Sequence, residues 1–193
     1  MRFVRCLLAC GIVIVTIGAA AAGSPAKAPF ALVKNPTTEI VVAVPKGGPL
    51  KLGKMDMDGV HFTGRVKLTG EYVYGRESSY VSDTGWRPEP DLHFVPDAAS
   101  RALLPYSHED GPAYGIRFSN REAFLKKALA HDTVAKIAAN KLNSVHGRLT
   151  IWVDRYVVSV SCGTAVYTAR FLRIESPRQV VASKRPAQPI GCG

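Results

Sequence analysis

Three groups of residues in this chain have the types and spacing to do chemistry. Cys162 and His146 would serve as a nucleophile and its base, because an imidazole beside a thiol favours the reactive thiolate. The loop "SHEDG", Ser107 to Gly111, gathers an imidazole and two carboxylates between prolines, and His93 lies on the segment before it. Metal binding needs three or four converging ligands. His108 and Asp110 supply only part of such a set, and a solvated turn accounts for both. The stretch "GRESSYVSDTGWRPEP", Gly75 to Pro90, carries Arg76, Tyr80, Trp86 and Arg87. Aromatic faces stack on sugar rings or bases, and guanidinium groups pair with anionic oxygens. The same aromatics can instead fold back over a core, which is the role expected of Tyr80. A phosphate loop, a nucleophile elbow, a zinc dyad on a helix and a paired CxxC site are all missing from the sequence. The expectation is a protein that is not an enzyme, with no cofactor and no metal.

The first residues set the compartment. Arg2 and Arg5 precede the apolar run Cys6 to Ile17, and the small residues Gly18 to Gly23 then offer an Ala20-x-Ala22 cleavage site. This is the anatomy of a secretory signal peptide over residues 1–22. The competing reading is a retained anchor, since Cys6 to Ala22 is an uncharged run near the lower length limit for crossing a bilayer. "LLAC", Leu7 to Cys10, does not read as a lipid-attachment box, because most of the apolar core follows Cys10. The chain of 193 residues carries 25 basic and 15 acidic residues; without residues 1–22, which hold two arginines and no acid, 23 basic residues remain, a formal charge of +8. That charge favours anionic partners, and equally suits a soluble basic protein with none. Cleavage also leaves only Cys162 and Cys192, which in an oxidising compartment have one intramolecular pairing. A bridge between them would stabilise by about 3–4 kcal/mol and pin the weakly apolar tail. Asn35 is followed by Pro36, so no glycosylation site exists, which leans toward a periplasm.

These groups must be positioned by a mainly β chain. Residues 23–58 read as an N-terminal extension: a lead-in "SPAKAPFALVKNPTTE", a short strand Ile40 to Val44, and a connection through Lys54 whose prolines and glycines exclude a helix. "MDMDG" turns the chain; aligned as a calcium loop it would need carboxylates where Lys54 and Arg65 stand, so calcium is rejected. "VHFTGRVKLTGEYVY", Val60 to Tyr74, then alternates strictly. Val60, Phe62, Gly64, Val66, Leu68, Gly70, Tyr72 and Tyr74 are assigned inward, and Arg65 and Lys67 to a solvated outer face. Straight, it would run ~50 Å, too long for a domain of this size. It must bend, and the inward glycines Gly64 and Gly70 are where it can.

"DLHFVPD", with Leu92 and Phe94 inward, and "AYGIRFS", with Tyr114, Ile116 and Phe118 on one face, supply strands two and three. Ser119 and Glu122 read as a capping box opening a helix over Arg121 to Leu142. Phe124, Leu125, Ala128, Leu129, Ala135, Ala138 and Leu142 suit its buried face; "HDT" at 131–133 is a break, with Asp132 capping the second piece. Lys126, Lys127, Lys136 and Lys141 scatter over its solvated side. "GRLTIWVDRYVVSV" from Gly147, a turn at Cys162 to Thr164, and "AVYTARFLRIE" complete five strands.

A long glycine-bent first strand, with one helical segment between strands three and four, resembles the OB-fold, a five-stranded Greek-key barrel, over residues 60–174. The domain is drawn at 59–176, with a tail 177–193 pinned by the bridge. A plain α+β sandwich is the alternative. The resemblance implies ligand contact by strands two and three and the flanking loops, which selects Trp86, Arg87, His93 and Arg117. The resulting expectation is an exported, periplasmic or secreted binding module for an anionic envelope ligand. The second reading is an envelope protein-interaction factor, an inhibitor or assembly protein. Nucleic acid fits the charge without a motif to support it, and no integral membrane span is expected after cleavage.

Overall fold

The computed structural model describes residues 29–75, 90–139, 141–175 and 181–183. In chain order the elements are β1 (Phe30–Lys34), β2 (Val41–Pro45), β3 (Lys51–Asp56), β4 (Gly59–Gly75), β5 (Asp91–Pro96), α1 (Ala98–Arg101), β6 (Tyr106–Ser107), β7 (Ile116–Phe118), α2 (Arg121–Ala128), α3 (His131–Ala138), β8 (Ser144–Ser161), β9 (Thr164–Ile174) and β10 (Val181–Ser183). The protein is mainly β. A small sheet has the order β1-β2-β6, and a larger one the order β10-β8-β9-β7-β5-β4-β3, with β8 also pairing to β4. Neighbours are antiparallel except β7 and β9, which run parallel through Arg117–Thr168 and Phe118–Ala169. Followed from β4 through β5, β7, β9 and β8, the pairings return to β4.

β4 keeps the alternation of its sequence. Val60, Phe62, Val66, Leu68, Tyr72 and Tyr74 are buried, while Arg65, Lys67 and Glu71 face solvent. Burying a large apolar side chain stabilises by about 1.5–3 kcal/mol, so this face drives the strand's orientation. Gly64 departs from the expectation: it is exposed. The β4–β8 register slips between Phe62 and Arg65, and Gly64 sits in that bulge with φ +105°, a conformation that L side chains rarely adopt. The extra residue turns Gly64 out of the inward row and bends the strand. Gly70 is buried as expected, and for a different reason. A Cβ there would overlap the Val95 carbonyl and meet the Phe94 ring at 2.9 Å, so glycine lets β5 cross close over β4.

The helical segment breaks where the sequence breaks, and its caps differ. α2 starts after Asn120, whose side chain makes no cap bond. Asn120 instead donates from Nδ2 to the Phe171 carbonyl at 2.9 Å and accepts from the Phe171 N–H at 2.8 Å, clipping the end of β7 to β9. Ser119 is likewise turned toward β9, with its N–H bonded to Ala169 O at 3.0 Å. No capping box forms. α3 is preceded by Ala130, and Asp132 pairs with Lys136 at 2.8 Å instead of capping. The break also resets the helical phase: Val134 and Ile137 face the core, and Ala135 and Ala138 are exposed. Phe124, Leu125, Ala128 and Leu129 are buried as their spacing predicts, and Phe124 stacks on Phe118 at 4.9 Å and meets Phe171 edge-on at 5.2 Å.

The N-terminal extension is more ordered than its prolines and glycines suggest. β1 and β2 form a hairpin, and β3 extends the larger sheet beside β4. Ile40, Val42 and Leu50 join the same core as β4 and β8. Tyr114, assigned to the core face of strand three, is 68% exposed, because β7 begins only at Ile116. Part of the tail pairs as β10 against Ser144 to His146 of β8. Among the described residues, no helix is long and apolar enough to cross a membrane.

Candidate functional site

Two of the four residues selected as contacts are brought together. His93 on β5 stands directly opposite Arg117 on β7. On the other side of His93 lies Val73 of β4, and beyond Arg117 lies Thr168 of β9. Because Leu92, Phe94, Ile116 and Phe118 point into the core, His93 and Arg117 belong to the opposite, outer face. Trp86 and Arg87 lie outside the described residues, as does Tyr80.

An outward position is ordinarily solvated, but His93 is only 6% exposed, and its Nδ1 is buried with no hydrogen-bond partner. Burial holds the imidazole's pKa below its ordinary value; the Asp91 carboxylate pulls it up and the Arg117 guanidinium pushes it further down. Arg117 is half-exposed, with its Nη2 3.3 Å from Asp91 Oδ2. The edge of this face is fixed by Arg121, which donates from Nη1 to the Pro90 carbonyl at 3.2 Å. The half-exposed Arg117 guanidinium, already paired with Asp91, is the one group of this set that can contact an anion, and the buried His93 ring lies beside it.

The other candidate chemistry disperses. His146 lies near the start of β8, where its Nδ1 is 2.7 Å from Glu71 Oε1, whereas Cys162 follows the far end of the same strand. They cannot act as base and nucleophile. Cys162 is exposed in the β8–β9 turn, where it and Gly163 have positive φ, as a two-residue hairpin requires. No disulfide forms among the described residues, and Cys192 lies outside them. In the "SHEDG" loop, Ser107 Oγ donates to Asp110 Oδ2 at 2.6 Å and accepts from the Asp110 N–H. Tyr167 donates to the Gly111 carbonyl and accepts from the Ser107 N–H, so the carboxylate closes a turn held by a phenol that burial pushes up to about 12. Among the described residues no group of three or more His, Cys, Asp or Glu is arranged to hold a metal ion.

Sequence reasoning passed over one cluster. Lys67, Trp152 and Arg173 stand in register across β4, β8 and β9. The Arg173 guanidinium lies 5.5 Å from the indole centroid, and the indole N–H donates to Glu175 Oε2 at 2.5 Å. The signal was present: with Ile151 and Val153 inward, Trp152 must face out. In the neighbouring row Arg170 grips Asp154 with two bonds at 2.8 and 2.7 Å, which holds that carboxyl below its usual pKa. Arg170 and Asp154 answer each other's charge, as Arg117 and Asp91 do, whereas the Trp152 row sets two cations, Lys67 and Arg173, against the one carboxylate of Glu175.

No family model, curated protein or solved structure matches this chain. The functional reading therefore stands on the geometry of the chain itself.

Proposed function

We propose that this chain is an exported, non-catalytic binding module in which the β4-β5-β7-β9-β8 circuit is a five-stranded, OB-like Greek-key barrel, and that the outer face of β5 and β7 receives an anionic ligand. Three features support the barrel. The pairings return to β4, β7 and β9 are parallel, and the helical segment falls between β7 and β8. The observation that carries the binding site is the His93–Arg117 pair, side by side on the second and third strands of that circuit. Trp86 and Arg87, the other two residues of the proposed contact set, lie outside the described residues. The formal charge of +8 after residue 22 would draw an anion toward it. The compartment follows from residues 1–22, and with it a ligand or partner of the cell envelope.

The test is binding of the protein, produced without residues 1–22, to a heparin dodecasaccharide at two salt concentrations. By analogy with counterion release at phosphates, two released charges predict roughly tenfold weaker binding between about 50 and 200 mM salt. Arg117→Ala should weaken binding at the lower concentration. Salt-independent binding, or none, would remove the reading.

The second reading, a protein-interaction factor of the envelope, is favoured by one observation. β3 is an edge strand whose Leu52 and Met55 are exposed, and Met57 follows in the adjacent turn. Pull-down of a defined envelope partner that is lost on Leu52→Asp, with no heparin binding, would shift the assignment to it.

A further inference from the structure

The regulation of the β5–β7 face follows from the burial of His93, and rests on the reading of that face as an anion site. We infer that the site is acid-gated: an oxyanion bound at Arg117 is taken up together with one proton on His93, so that affinity rises as the pH falls. Directly opposed residues of an antiparallel pair have Cβ atoms about 5 Å apart, so charge at the Arg117 position reaches the His93 ring, after burial and the Asp91 carboxylate in weight.

In the free protein the uncharged imidazole is favoured. The ring is buried on an outer face, its Nδ1 has no acceptor, and a guanidinium stands across from it. Protonation would place an N–H on Nδ1 that nothing receives. Every described element beside the ring bears on this balance. From β7 comes Arg117, and from β5 itself comes Asp91, which is already engaged by Arg117. β4 presents the uncharged Val73, and the next outward carboxylate on β4, Glu71, is engaged by His146. Arg121, at the start of α2, reaches the Pro90 carbonyl at the head of β5. An anion on Arg117 offsets the guanidinium's field and supplies negative charge that an imidazolium can answer. The coupling is reciprocal: whatever the anion does for His93 protonation, protonation does for anion affinity.

A sulfated oligosaccharide is the probe oxyanion, because sulfates keep their charge across the range in which histidine titrates, so a pH effect on their binding reports on the protein.

The experiment is calorimetric titration of the protein with a heparin dodecasaccharide at about pH 5.5 and 7.5, near either side of the ordinary histidine pKa. The expected result is binding roughly five- to tenfold tighter at the lower pH, within the usual range of coupling between two sites. In His93→Gln the ratio between the two pH values should fall to about one. A second measurement needs no variant: the NMR titration of the His93 ring should move to higher pH when the oligosaccharide is present. Intact binding with a flat pH profile and an unmoved His93 titration would overturn the gating and leave the binding role standing. Absence of binding at both pH values would remove the binding role itself.

Discussion

Gly70, Tyr156 and His93 each do something that no other side chain at their position would do. At Gly70 any Cβ meets backbone atoms of β5, which cannot swing aside as a side-chain tip can. Gly70→Ala should therefore lower stability by about 1–3 kcal/mol, read from the urea midpoint. Tyr156 is fully buried and donates its hydroxyl to the Pro105 carbonyl at 3.0 Å, tying the chain before β6 to β8. Tyr156→Phe leaves that carbonyl without its donor and should cost about 1–3 kcal/mol by the same assay. For His93 the sign follows from its lowered pKa. Between that depressed value and the ordinary one near ~6.5, the unfolded chain holds a proton that the folded chain does not. Stability should fall as the pH is lowered through this window, and His93→Gln should remove that part of the slope in urea midpoints measured against pH. Asp56 acts in the opposite sense. Lys54 and His61 hold its carboxyl down to about 2, so its contribution is present above the ordinary carboxylate range and lost as the pH falls toward 2.

At the scale of elements, β4 and the helical segment carry the architecture. Phe124 packs among Phe118, Phe171 and Tyr72, so Phe124→Ala should cost about 3–5 kcal/mol, measurable by denaturant unfolding. The parallel β7–β9 contact is short, and the Asn120 side chain spans it with two bonds to Phe171. Asn120→Ala should speed amide exchange at Phe171 and Ser119 more than in the middle of β8. These elements were readable to different depths. Period-two alternation exposed β4 and β8 because each has one wet face and one dry face, whereas in β5 it showed only in residue type, since both of its faces are largely covered. Gly64 sits in a bulge instead of on the inward row: an isolated glycine in an alternating strand fits either a bend with its missing side chain inward or a positive-φ bulge, and the pattern alone does not separate them. Ser119 and Glu122 formed the right spacing for a cap, but the open backbone groups of β9 competed for Ser119 and Asn120, and local propensity yielded to the tertiary contact. Lys51 to Asp56 did not read as a strand because all but Asp56 are exposed and leave no hydrophobic period.

At the scale of the molecule, the legible part was a mainly β chain built on long alternating strands; α1 and the strands outside the expected five left no such pattern. What lay beyond it was how the two ends are used. The N-terminal strands complete the core through Ile40, Val42 and Leu50, and β10 covers the start of β8 that β9 leaves open. Short, polar or proline-flanked segments of this kind are stabilised by their neighbours more than by their own pattern. Half of the candidate site was legible for a simpler reason. Alternation put His93 and Arg117 on the outer face, and strand order made them neighbours, whereas the burial of His93 depends on packing that no spacing encodes. The account as a whole depends on that outer face being where an anion lands. Backbone amide shifts of the isotope-labelled protein, followed while a heparin dodecasaccharide is added, test it most directly. The account predicts that the largest changes fall on Asp91–Pro96 and Ile116–Phe118 and shrink in Arg117→Ala. Changes centred instead on the Lys67–Trp152–Arg173 row, or no changes at all, would contradict it.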